Sequence, residues 1–204
     1  MVKGIQTDAS KSDKPILILD LDETLISSLP SENYGDKQKE KAKKFEFENM
    51  DDYYIVFERP GLQTFLDYIF ANFTVSIWTA ATKDYAAFIA DKMLVKDKPE
   101  RRIDMMLFSY HCDLSKKMKK GSKMMSMLWD VFELEGYDEK KVVILDDFAE
   151  VQKNNPDNHI KAKPFKFTDK GSEDDTFLKE LQPKLDKMRD HIKSGGSHPG
   201  RVVD

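Results

Sequence analysis

Asp20 and Asp22 stand two residues apart at the end of an apolar run, Ile16-Leu17-Ile18-Leu19, with Thr24 just beyond. On an extended chain, residues i and i+2 share a face. Two carboxylates held that close repel unless a cation sits between them or one keeps its proton. Both conditions suit phosphoryl transfer: one carboxylate attacks phosphorus beside a metal, while the other protonates the leaving oxygen. A second run, Val142-Val143-Ile144-Leu145, also ends in acid, at Asp146-Asp147. A third, Thr74 to Trp78, ends in Thr79-Ala80-Ala81, small residues whose backbone N–H groups make a natural anion seat before a helix. Lys123 opens a further apolar stretch.

These groups need a scaffold that brings their strands to one edge. Apolar runs of four or five residues read as strands buried on both faces, and ligands of open parallel sheets sit beyond the strands' carboxyl ends. Residues 61–71 and 83–94 carry apolar positions at helical spacing, with Thr82 as the cap of the second helix. Residues 123–134 read as a helix that starts at Lys123, and 174–192 as a last helix. FEFE (Phe45 to Glu48) and YYIVFE (Tyr53 to Glu58) read as a strand pair beside the site, and 105–111 as a strand. Strands alternating with helices imply an α/β fold, Rossmann-like, with a central parallel sheet flanked by helices and a small β insert.

Composition narrows the function. The chain has 204 residues, long enough for one domain with a sizeable core. A net charge of −4 gives no whole-molecule case for direct nucleic-acid or membrane binding. Cys112 is the single cysteine, so no disulfide can form within the chain, and an intracellular location, nucleus or cytoplasm, is expected. The histidines and Cys112 share no zinc-ligand spacing. Three or four carboxylates, a hydroxyl and an ammonium suit a hard cation, Mg²⁺, together with a phosphate. Residues 1–13 and 194–204 read as loose tails around a 14–193 domain. Within that domain, 27–58 and 97–121 are inserts near the site, and the charge run GDKQKEKAKK reads as a solvated excursion.

The motifs together resemble a known family. D-x-D-E-T, W-T-A, a lysine and L-D-D look like the haloacid dehalogenase (HAD) superfamily of phosphotransferases. DLDETL, RPG-x-x-x-FL, WTA-x-x-x-x-YA and LDD…NNPDN…KPF resemble the FCP/SCP-like protein serine phosphatases, which act on the C-terminal domain (CTD) of RNA polymerase II. K-MMSMLWDVF followed by LDD and NNPDN is particularly similar to the core of the ubiquitin-like-domain CTD phosphatases. Neither a ubiquitin-like nor a BRCT-like region is read in these residues.

The resemblance covers about Lys14 to Phe165 and implies roles. Asp20 is the nucleophile that becomes an aspartyl-phosphate. Asp22 is the general acid and then the base. Thr79, Ala80 and Lys123 hold the phosphoryl oxygens. Mg²⁺ is held by Asp20, the Asp22 carbonyl and the Asp146-Asp147 pair, with Asp147 favoured as the direct ligand and Asp146 as the group that orients Lys123. Arg59 anchors a helix start. A phosphoserine-bearing protein is the expected substrate, with the polymerase II C-terminal domain as candidate, and a monomer is the expected form. The inserts are too short for a large cap, so an open cleft is expected. A small-molecule phosphatase of the same fold and a catalytically silent binding module are the rival readings.

Overall fold

In a computed structural model that describes residues 7–203, the run Ile16–Leu19 is a strand, β1, with every residue buried. The others follow in chain order: β2 (Ile26–Pro30), β3 (Phe47–Met50), β4 (Tyr54–Glu58), β5 (Thr74–Trp78), β6 (Ile103–Leu107), β7 (Val142–Asp146) and β8 (His159–Lys161). The helices are α1 (Asp36–Ala42), α2 (Leu62–Asn72), α3 (Lys83–Ile89), α4 (Ser109–Lys119), α5 (Ser126–Asp130), α6 (Ala149–Asn154) and α7 (Phe177–Lys193).

β1 lies at the middle of a five-stranded parallel sheet ordered β6-β5-β1-β7-β8. Leu19 is in register with Ile77 on one side and Leu145 on the other. The residues just past these three positions therefore gather at one edge, as the expected topology requires. The alternation of β1 explains its uniform burial. Leu17 and Leu19 pack with Phe65, Ile69, Leu181 and Leu185, while Ile16 and Ile18 pack on the opposite face with Trp78, Met127 and Leu128.

A second, antiparallel sheet ordered β2-β4-β3 makes the small insert. Its own apolar cluster contains Ile55 and Phe57, with Phe57 stacked on Phe167 at 3.6 Å between ring centroids. The charge run read as a solvated excursion thus forms the helix α1, whose Ala42 is buried against this cluster.

Four local expectations change. Residues 105–111 are not one strand: β6 stops at Leu107, and His111 Nδ1 accepts the Phe108 N–H to open α4. Residues 123–134 are not one helix, because α5 spans only Ser126–Asp130 and Glu133 takes a positive φ of 50°. The helix after Thr82 changes to π geometry over Ala90–Val95. The expected tails are partly packed: Asp8–Lys11 forms a 3-10 turn with Ala9 buried, and Val203 is buried in the core after a turn over Pro199–Val202. Gly136 permits the first of these contacts, since a Cβ there would lie 2.6 Å from the Ala9 carbonyl carbon. Residues 1–6 and 204 lie outside the described residues.

Arg59 is fully buried and ties three distant segments together. Nε and Nη2 donate to the two Asp175 oxygens at 2.8 and 2.9 Å, and Nη1 donates to the carbonyls of Thr24 and Lys163, each at 2.9 Å. The expected structural role fits this geometry. Burial works to raise the Asp175 carboxyl, but the Arg59 hydrogen bonds and charge outweigh it and hold the group below the usual carboxylate range. A depressed carboxylate stabilises the fold above its unfolded-state value and loses that contribution as pH falls through the folded one. Asp175→Asn is therefore expected to lower the melting temperature at neutral pH, by an amount that shrinks below about pH 4. Melting curves of both proteins across that range test it; a constant gap would place the effect elsewhere.

Candidate active site

The chain leaves β1 directly into the site. Asp20 is buried, with its N–H on the Leu145 carbonyl at 3.0 Å. The next turns are tight: Glu23 takes a positive φ of 58°, and its carbonyl accepts the Phe165 N–H at 2.7 Å. Thr24 is buried beneath, with its hydroxyl 3.3 Å from Asp20 Oδ2 and 3.4 Å from Asp147 Oδ1. One hydroxyl proton is thus shared between the ends of β1 and β7.

Lys123 closes the constellation. Its Nζ lies 2.6 Å from Asp20 Oδ1 and 2.6 Å from Asp146 Oδ2, with the residue only 4% exposed. Burial pushes the ammonium down, but the two carboxylates more than offset it and hold it above the ordinary lysine range. Asp20 feels the opposite balance. Burial raises it, Lys123 lowers it, Asp146 raises it again, and it sits at about 6. Asp146 spends its other oxygen on the Phe148 N–H at 2.7 Å.

Lys123 does not start a helix. It sits at a positive φ of 48°, three residues before α5, in a turn tied by side chains from elsewhere. Asn155 Nδ2 donates to the Lys123 carbonyl at 2.9 Å and Asn155 Oδ1 accepts the Met125 N–H at 2.8 Å. Asn154 donates to the Ser122 carbonyl at 2.9 Å, and the Ser115 hydroxyl binds the Gly121 carbonyl at 2.6 Å. Gly121 leaves room for this approach, since a Cβ there would stand 2.6 Å from Asn154 Nδ2 and the asparagine would have to shift. These ties hold a buried, non-helical lysine in place. Nothing local in the sequence marks Ser115 for this role, and the signal for Asn154 and Asn155 is their place in the NNPDN motif after L-D-D.

Asp22 is half-buried and faces the other way, toward the insert. Its Oδ1 accepts from Tyr85 at 2.8 Å and from Ser28 at 3.1 Å. Burial raises its carboxyl, and the nearby Asp20 charge adds to this against the Tyr85 hydrogen bond. A raised carboxyl keeps its proton more readily, as a general acid needs. Burial and the Asp22 charge likewise hold the Tyr85 phenol above its ordinary range, so it remains a donor.

Thr79 is buried at the end of β5, where its hydroxyl oxygen accepts the Ala81 N–H at 3.1 Å and keeps its own proton to donate. Ala80 is exposed on the rim. All seven residues singled out from sequence (Asp20, Asp22, Thr79, Ala80, Lys123, Asp146 and Asp147) line one cavity of about 580 Å³. Exposed Phe148 and Glu150 and the exposed Lys116 also border it.

Asp20, Asp146 and Asp147 each offer an oxygen within 4.8 Å of the others. An all-oxygen set of this kind suits a hard divalent cation. Asp146 has both oxygens engaged, whereas Asp147 is half-buried with its carboxyl raised by burial and by the Asp20 charge. A cation beside Asp147 and Asp20 would relieve that repulsion.

Comparisons with known proteins show the family and the fold. The model for the NLI interacting factor-like phosphatase family matches residues 15–194. The chain belongs to that family. It is 44% identical over 176 residues to the CTD phosphatase-like protein 355R of Invertebrate iridescent virus 6, covering 84% of this chain and 97% of that protein. It is 30% identical over 184 residues to CTD nuclear envelope phosphatase 1B of Danio rerio, covering 86% of this chain and 67% of the relative. Identity to the ubiquitin-like domain-containing CTD phosphatase 1 of Danio rerio, the subgroup to which the K-MMSMLWDVF segment is similar, is lower, 27% over 133 residues, or 64% of this chain and 42% of that one. The structure of Fcp1, an RNA polymerase II CTD phosphatase, superposes with a TM-score of 0.63 at 20% identity, over 96% of this chain and 70% of Fcp1. The fold is therefore the HAD-like α/β fold of Fcp1, and the protein is a phosphatase of the FCP type. Its acidic cluster suggests a divalent metal site.

Proposed function

We propose that residues 14–193 form a Mg²⁺-dependent protein serine phosphatase domain that works through an aspartyl-phosphate. The observation that carries this reading is the Lys123 ammonium, 2.6 Å from both Asp20 and Asp146. A nucleophilic carboxylate and a fixed cation then stand together where a phosphoryl group would enter, and phosphoryl transfer depends mainly on positioning and electrostatics.

Each residue has a defined task. Asp20 attacks phosphorus. Asp22 gives its proton to the leaving oxygen and later takes one from water. Lys123 and Thr79 bind phosphoryl oxygens, with the backbone at Ala80 on the same rim. Asp146 holds Lys123 rather than the metal. Mg²⁺ would be held by Asp20, the Asp22 carbonyl and Asp147, and when bound it neutralises charge on the phosphoryl oxygens.

The exposed rim around Ala80, Phe148 and Glu150 favours a substrate presented on a protein surface, such as phosphoserine in a peptide. The names of the relatives make the RNA polymerase II C-terminal domain the first candidate. Among the described residues no helix is long and apolar enough to cross a membrane. We place the protein inside the cell, in nucleus or cytoplasm, acting as a monomer without direct contact to nucleic acid.

Phosphate release from a phosphoserine peptide of the polymerase tail tests the reading. Turnover is expected with Mg²⁺, loss in excess chelator, and recovery when Mg²⁺ is restored. Full activity in chelator would remove the metal from the scheme. Turnover of small phosphometabolites with none of any phosphopeptide would replace the protein substrate.

A further inference from the structure

The small antiparallel sheet has no role in the scheme above, and neither has Tyr85, which follows W-T-A in the sequence. The two meet at Asp22. Ser28 comes from β2 and Tyr85 from the buried face of α3, and both hydroxyls point at the same atom, Asp22 Oδ1. Tyr54 of β4 packs its ring edgewise on Tyr85, 5.7 Å between centroids at 82°. β2 and β4 pair with Ser28 opposite Val56, so the sheet fixes the spacing of these contacts.

A hydroxyl that donates to a carboxyl oxygen needs a lone pair there. With two donors on Oδ1, a proton on Asp22 is directed to Oδ2. We propose that Tyr85 and Ser28 are positioning residues that present the Asp22 proton on Oδ2, toward the leaving oxygen, and that the insert sheet is the frame that holds them.

The inference rests on the phosphatase reading and deepens it. In the first step, Asp20 forms a bond to phosphorus while the bond from phosphorus to the seryl oxygen breaks. The electron pair stays on that oxygen, which takes the Oδ2 proton. The products are a serine hydroxyl, an aspartyl-phosphate and an ionised Asp22. An alkyl leaving oxygen needs the proton as it departs. A nitrophenyl leaving oxygen departs without one. Misorienting the acid therefore hurts the first ester more than the second.

The experiment compares kcat/KM for a phosphoserine peptide and for 4-nitrophenyl phosphate, in wild type, Asp22→Asn, Tyr85→Phe and Ser28→Ala, each checked by thermal melting. This parameter reports steps up to departure of the leaving group. In Asp22→Asn the peptide-to-aryl ratio should fall by about 100-fold. In Tyr85→Phe it should fall by up to about tenfold, the loss of one hydrogen bond, and in Ser28→Ala by a smaller factor in the same direction. A shift in Asp22→Asn with an unchanged ratio in the other two would overturn the positioning roles and leave the phosphatase reading standing. An equal fall on both esters in Tyr85→Phe and Ser28→Ala would mark the two residues as structural and also overturn the proposal. An unchanged ratio in Asp22→Asn, or a wild type that cleaves neither ester, would take down the acid assignment and this proposal with it. Should Tyr85→Phe fold poorly, Ser28→Ala decides alone, since its hydroxyl lies at a half-buried position.

Discussion

Asp20→Asn is expected to reduce turnover of a phosphoserine peptide at least about 10⁴-fold while changing the melting temperature by no more than a few degrees. The loss follows from chemistry: a carboxamide at this position cannot form the acyl-phosphate bond. The small effect on stability follows from the charge count. Asp20 and Asp146 both contact one ammonium, and burial works against the ionised form of Asp20. An asparagine still fills the space, and the pair between Lys123 and Asp146 remains intact. Phosphate release and a melting curve on the same preparation check both halves. Turnover that survives in folded protein would mean that another group attacks phosphorus.

Lys123→Met is expected to show the opposite pattern, with stability falling along with activity. Methionine fills the space but leaves Asp20 and Asp146 buried and facing each other without a cation. Removing one partner of a buried charge cluster costs about 3–5 kcal/mol, on the order of 10 °C for a chain of this size. Turnover should drop about 10³-fold, since a fixed cation at the phosphoryl oxygens is lost. Calorimetry and peptide kinetics measure the two effects. A melting temperature equal to wild type would show that the ammonium does not hold the two strand ends together.

The contrast between these residues shows what the sequence could reveal. Asp20 and Asp146 were legible because a buried strand needs only a short apolar run, and the acid that stops it marks the strand's end. The parallel sheet followed from three such runs separated by helical spacing. Lys123 was found as a residue but misread as a conformation. Its apolar neighbours have helical spacing, yet Asn155 and Ser115 draw the Met125 and Met124 N–H groups away from any helix. Those partners are up to 30 residues away in the chain, and local periodicity contains no trace of them. Tyr85 falls on the apolar face of 83–94 by spacing alone; its hydroxyl matters only once Asp22, 63 positions earlier, is beside it. The 105–111 stretch begins as a strand, and the Phe108 N–H bond to His111 Nδ1 accompanies its change into α4.

The order of the central sheet bears on how the protein is made. β1 lies between strands that begin at Thr74 and Val142, so its second neighbour is translated long after β1 itself. A chain emerging from the ribosome carries Asp20 for 103 residues before Lys123 exists to balance it. Contacts this far apart in sequence fold slowly, because the intervening loop must be closed before they form. Until β7 arrives, one edge of an entirely apolar strand is open to other chains. The arrangement that concentrates charge at one edge of the finished sheet thus delays the enzyme's competence until β7 has been made.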